Sequence, residues 1–203
     1  MSRLNLIVLL VCGLLAGGLA AVATIPQVRE RVIGSAAQQS VGQALVGGPF
    51  TLTDHTGKRV SDTDFRGRNM LLFFGFTFCP DVCPTALQVM AGVMDKLGPK
   101  ADRIVPIFIS VDPERDTPEQ LAQYVSAFHP KLVGLTGTRA EIDTVLKAYR
   151  VYAQKVEDPK STAGYTMNHS TIIYLMGPDG QYRTHFTHAT SVDAMFERLS
   201  KLL

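Results

Sequence analysis

Cysteine is scarce in this chain, with three among 203 residues. That excludes a small scaffold held together by many disulfides. Cys12 falls inside an apolar N-terminal stretch and reads as a membrane-buried thiol without a role. Val11 precedes it, where lipid attachment would want a small residue. Only Cys79 and Cys83 are left for the rest of the molecule. A structural bridge between them would close a five-residue loop. Such a short loop removes little unfolded-state entropy, and a domain of this size does not need it.

Other features are missing as well. There is no run of five or more Lys or Arg and no interleaving of aromatic with basic residues, so nucleic acid is not an expected partner. The net charge of +2 points to no particular partner. No internal repeat or low-complexity segment interrupts the chain.

One long hydrophobic run is present. Leu4 to Ile25 carries no charge, and its only polar side chain before Thr24 is Asn5. As a helix it would span roughly 33 Å, enough for a bilayer core. A cleaved signal is the competing reading, with Ala21-Val22-Ala23 as a cleavage site, but the length favours a retained anchor. Either way the remainder leaves the cytoplasm. Residues 1–25 are thus read as a membrane anchor, 26–43 as a linker and 44–203 as the folded domain. Arg3 on one side against Arg29 and Arg31 on the other leaves the orientation open by charge alone. A short tail before a whole domain is the signal-anchor arrangement, which puts the domain outside.

Within the domain, the pattern predicts a hairpin from Pro49 to Val60 and buried strands at Asn69–Phe76 and Arg103–Val111. Helices are expected from Thr85 to Leu97, from an N-cap at Thr117, and from an N-cap at Thr138 with Glu141 at N3. A strand at Ser170–Leu175, a turn at Gly177–Gly180, a strand at Gln181–Thr187 and a closing helix at Val192–Leu202 complete the pattern. Alternating strands and helices argue for an α/β sheet covered on both faces. A strand that runs into a cysteine pair at a helix start points to the thioredoxin architecture.

The chemistry centres on Phe76-Thr77-Phe78-Cys79-Pro80-Asp81-Val82-Cys83-Pro84. A spacing of i to i+4 puts both sulfurs on one side of the first helical turn. The helix N-terminus lowers a thiol's pKa. Two such thiols form a disulfide, exchange one, or bind a soft metal ion. The candidate third group is His169, at the start of the predicted Ser170–Leu175 strand. Two thiolates and an imidazole suit Cu(I), whereas zinc normally wants a fourth protein ligand. On spacing alone a single histidine is more often structural than a ligand. His55, His129, His185 and His188 fit turn, cap and hairpin positions instead. Asp112 reads as a turn residue bonded to backbone and Asp81 as a helix cap. Met90 and Met94 read as core.

Three segments resemble the Sco/SenC family of copper chaperones for cytochrome c oxidase. They are Gly75 to Pro84, Ile109 to Pro118, and His169-Ser170-Thr171 followed by Gly177-Pro178-Asp179-Gly180. The resemblance covers about Gly48 to Leu203. It implies a thioredoxin-like domain behind a transmembrane helix, with copper, as Cu(I) or Cu(II), held by Cys79, Cys83 and His169. It also implies delivery of copper to the copper-A site of cytochrome c oxidase subunit II, or upkeep of that site's thiols. The partners it implies are subunit II, a thiol reductant and another copper chaperone. The short N-terminus, with no Arg- and Ser-rich transit segment, suggests a bacterial protein held in the inner membrane by a single span, with the domain facing the periplasm. Asn168 stands where many members have Asp. A thiol–disulfide oxidoreductase is the alternative reading, and a peroxidase acting through Cys79 is a third.

Overall fold

The computed structural model describes residues 46–159 and 164–203. The expected anchor, the linker and Cys12 lie outside the described residues. Among those described, no helix is long and apolar enough to cross a membrane.

The apolar run Met70–Phe74 and its counterpart Ile104–Ile109 form the two central strands. These are β3 (Asn69–Gly75) and β4 (Ile104–Ser110), parallel and buried at every position. Burial on both sides is what a central α/β strand needs, and it explains why neither run alternates. Around them β1 (Thr51–Asp54), β2 (Arg59–Ser61), β5 (Val133–Thr136), β8 (Ile172–Met176) and β9 (Tyr182–Thr187) complete a seven-stranded sheet. Its order is β2-β1-β5-β4-β3-β8-β9. The α/β class expected from the pattern is the one observed.

The helices are α1 (Val82–Leu97), α2 (Pro118–Ser126), α3 (Arg139–Ala148) and α4 (Val192–Leu202). Their starts follow side-chain chemistry. The Thr117 hydroxyl accepts from the Gln120 N–H, with Pro118 in the first turn. Thr138 and Glu141 form a reciprocal capping box. Helix α1 stops at Gly98, whose φ of 53° is in the left-handed region. Met90 and Met94 are core residues, each 1% exposed.

Some elements were not expected. Two 3-10 turns, Asp62–Phe65 and Gly98–Arg103, link β2 to β3 and α1 to β4. A separate two-stranded sheet, β6 (Ala153–Glu157) with β7 (Tyr165–His169), stands before β8. It shares no ladder with the main sheet.

Candidate metal and thiol site

The site forms at the carboxyl end of β3. The antiparallel pairing of β8 with β3 sets Ile173 opposite Phe73. The residues just before β8 therefore arrive beside the turn that leaves β3, and that turn carries Cys79. His169 was expected at the start of the core strand. It is instead the last residue of β7, three residues before β8 begins. The approach to the cysteines is nevertheless as expected. The ligating atoms of Cys79, Cys83 and His169 all lie within 4.8 Å of one another. Both cysteines are free thiols, Cys79 partly buried and Cys83 fully buried.

The helix N-terminus acts through the first sulfur. Asp81 occupies the N-cap position of α1, but its side chain accepts no capping hydrogen bond, which corrects the capping role expected of it. The Cys83 N–H donates to Cys79 Sγ at 3.4 Å. A sulfur thus takes up one of the free N–H groups of the first turn, in the field of the helix dipole. This favours the charged form of Cys79. The hydrogen bond from the Cys83 thiol is the largest influence. Burial opposes it, the N–H groups of Asp81 and Cys83 add to it, and the pKa falls to about 4. Cys83 moves the opposite way. Its S–H is held by the Cys79 thiolate, and burial next to that charge keeps it protonated. The pair therefore holds one thiolate and one thiol.

The histidine is oriented by a backbone group. His169 Nδ1 lies 3.0 Å from the Ser170 carbonyl oxygen. A carbonyl only accepts, so in this contact Nδ1 carries the proton. In the neutral imidazole the lone pair is then on Nε2, which lies 3.5 Å from Cys83 Sγ. The ring is wedged edge-on against Phe76 and Phe73, at centroid distances of 5.7 and 6.2 Å. A cleft of about 190 Å³ opens onto Cys79 and His169 past Pro80 and Asn168. One thiolate and the imidazole are thus reachable from outside, while Cys83 lies behind them. Two sulfurs and one imidazole nitrogen suit a soft, low-coordinate ion.

The remaining candidates are placed elsewhere. His55 Nδ1 accepts from the Gly134 N–H at 3.1 Å, so it is a half-buried turn residue. His129 Nδ1 accepts from the Lys131 N–H. His185 bonds the Tyr182 hydroxyl and His188 the Thr171 hydroxyl. None joins the metal-type cluster found among the described residues. Asp112 is the expected turn residue, its carbonyl accepting from the Arg115 and Asp116 N–H groups, but its side chain departs from expectation. The residue is 2% exposed, and its carboxylate meets Arg115 and the Tyr165 hydroxyl rather than backbone.

The fold and site together define a thioredoxin-like domain with a dithiol and an imidazole at one sheet end. The SCO1/SenC family model matches residues 38–203, and the chain belongs to that family. The human mitochondrial SCO1 homolog is 50% identical over 154 residues, covering 73% of this chain and 50% of its own length. This chain therefore spans about half the length of that curated relative. The structure of Bradyrhizobium japonicum ScoI with copper bound is 46% identical with a TM-score of 0.72, covering 78% of this chain and 99% of that one. BsSco, described as a member of the Sco family of cytochrome c oxidase assembly proteins with a disulfide switch, is 29% identical with a TM-score of 0.60. The match covers 81% of this chain and 97% of BsSco.

Proposed function

We propose that this chain is a copper metallochaperone that takes the ion on Cys79, Cys83 and His169 and passes it to the copper-A site of cytochrome c oxidase subunit II. The observation that carries the reading is the convergence of three soft or borderline donors within 4.8 Å, in a fold shared with a copper-bound ScoI. The cargo meets the Cys79 thiolate and the His169 lone pair first, because the cleft opens on them. Cys83 must release its proton to join, so loading consumes the asymmetry of the pair. Release to an acceptor reverses this order from the open side. Asn168, on the cleft wall beside His169, is a neutral contact for the docking partner. The stretch from Leu4 to Ile25 tethers the domain to the bacterial inner membrane, facing the periplasm. Mass spectrometry of the membrane fraction should find it uncleaved; a soluble form beginning near Thr24 would contradict the tether.

A second reading is favoured by the split protonation of the pair. A Cys79 thiolate with a protonated Cys83 behind it is an attacking and a resolving thiol, the arrangement for disulfide exchange. The His169→Ala substitution separates the two readings. It removes a copper donor and leaves both sulfurs. Cells carrying it are expected to lose assembled copper-A oxidase at limiting copper, while Cys79 and Cys83 still cycle between dithiol and disulfide. Normal oxidase assembly at low copper, with unchanged protein level, would favour the oxidoreductase.

A further inference from the structure

None of the chemistry above uses Asp112 to Asp116, yet this segment touches both halves of the site. The Asp116 carboxylate is fully buried. It accepts from the Thr77 N–H at 3.1 Å, the Thr77 hydroxyl at 2.7 Å and the Ser110 hydroxyl at 2.6 Å. Thr77 lies two residues before Cys79, so this network fixes the cysteine loop to the end of β4. The next residue back, Arg115, reaches the other half. Its Nη1 donates to the Tyr165 carbonyl at 3.1 Å, and its Nε donates to Asp112 at 2.5 Å. The Tyr165 hydroxyl donates to the same Asp112 carboxylate at 3.0 Å. Tyr165 opens β7, and β7 ends at His169.

The guanidinium of Arg115 also faces three aromatic rings. Its central carbon lies 3.7 Å from the Tyr165 ring centroid, 4.8 Å from Phe78 and 5.7 Å from Phe76. Phe78 precedes Cys79, and Phe76 is the ring set edge-on against His169 at 5.7 Å. The Arg115 side chain is only 13% exposed, and its Nη2 is buried without a hydrogen-bond partner among the described residues. A plain ion pair with Asp112 needs neither that burial nor the loss of a donor. Ring faces offset the desolvation of a guanidinium, which is weakly hydrated and planar. The β6–β7 sheet has no ladder with the main sheet. Its distance from the cysteine loop therefore depends on side chains such as this one.

We propose that Arg115 is a positioning residue that sets the gap between the His169 imidazole and the two thiols, by stacking the cysteine loop and β7 on one guanidinium. This rests on the reading that the three residues take copper. The test uses the full chain, reduced and titrated with copper(II) ion. Arg115→Ala is expected to keep the thiolate-to-copper charge-transfer absorption, because both sulfurs remain. It should lose the imidazole nitrogen hyperfine coupling in electron paramagnetic resonance, and the dissociation constant should rise at least about tenfold. Arg115→Ala combined with His169→Ala should bind no more weakly than His169→Ala alone, since Arg115 acts through that ring. Arg115→Lys should not rescue, because an ammonium has no plane to stack. Wild-type hyperfine coupling and affinity in Arg115→Ala, or additive losses in the double variant, would overturn the proposal.

A metal-free readout keeps the two claims separate. The nuclear Overhauser effect between the Phe76 and His169 ring protons should vanish in Arg115→Ala. If the wild-type chain takes no copper, the metallochaperone reading falls, and the clamp stands or falls on that signal alone. If Arg115→Ala does not fold, Tyr165→Leu decides in its place. It removes a ring and leaves the Asp112–Arg115 pair. The same loss of the Phe76–His169 signal is expected, and its retention would overturn the clamp.

Discussion

Cys83 Sγ and His169 Nε2 lie 3.5 Å apart although 86 residues separate them along the chain. The contact joins a helix start to a hairpin end. The antiparallel pairing of β8 on β3 makes it possible, and the Ser170 carbonyl turns the ring so that Nε2 faces the sulfur.

The two thiols should react very differently in the metal-free chain. Cys79 is partly exposed with a pKa lowered to about 4, whereas Cys83 is 0% exposed and protonated. Iodoacetamide with a chelator present should modify Cys79 and spare Cys83, as read by peptide mass spectrometry. The depressed pKa keeps Cys79 ionised above about pH 5. Its rate should therefore stay nearly flat from pH 8 to 5 and fall only towards pH 4. An ordinary thiol would lose about tenfold per pH unit below pH 8.5. A rate that falls steadily from pH 8 downward would contradict the assignment.

Gly75 is expected to be intolerant of any side chain. A Cβ there would sit 2.7 Å from Cys83 Sγ and 2.8 Å from the Phe108 ring. Neither neighbour has room to yield in the core. Gly75→Ala should destabilise the fold by about 1–3 kcal/mol, the usual range for overpacking. It should also shift Cys83 and weaken copper binding. Urea denaturation and a copper titration of the same preparation check both. A variant of wild-type stability and affinity would mean that the Cys83 sulfur is not held against β3.

Glu141 provides a pH-dependent stability that is remote from the site. The Arg59 guanidinium, at 2.6 Å, and the Thr138 N–H hold its carboxyl down at about 2. A folded pKa below the unfolded value of about 4.3 stabilises above that value. The contribution is lost as pH falls from about 4.3 towards 2. Arg59 is half-exposed, so solvent screening limits the effect at pH 7 to between a few tenths and about 1 kcal/mol. Glu141→Gln should lower the melting temperature at pH 7, and the difference from wild type should close by about pH 2. A difference that is constant across that range would exclude the charge as its source.

The legible parts of the fold share a cause. β3 and β4 are continuous apolar runs that only a doubly covered strand explains. The starts at Thr117 and Thr138 are set by local side-chain bonds. The β6–β7 hairpin was not legible because its first strand is mostly exposed: Ala153-Gln154-Lys155-Val156-Glu157 has one partly buried residue followed by four exposed ones. Nothing in that string demands a buried face. This placed His169 in the wrong strand, although at the right end of the sheet. Asp81 shows a different limit. Its position before a helix fits a cap, but a sulfur at Cys79 already takes the Cys83 N–H. The role of Arg115 depends on rings at positions 76, 78 and 165, and no spacing rule connects these.

Copper titration of the reduced, full-length protein is the most direct test of the central claim that Cys79, Cys83 and His169 together hold the ion. One copper per chain is expected for the wild type. Cys79→Ser and Cys83→Ser should fall to near zero, because each removes one of two soft donors. His169→Ala should bind much more weakly while keeping its fold by circular dichroism. A variant lacking both Cys79 and Cys83 that still binds copper tightly would contradict the account.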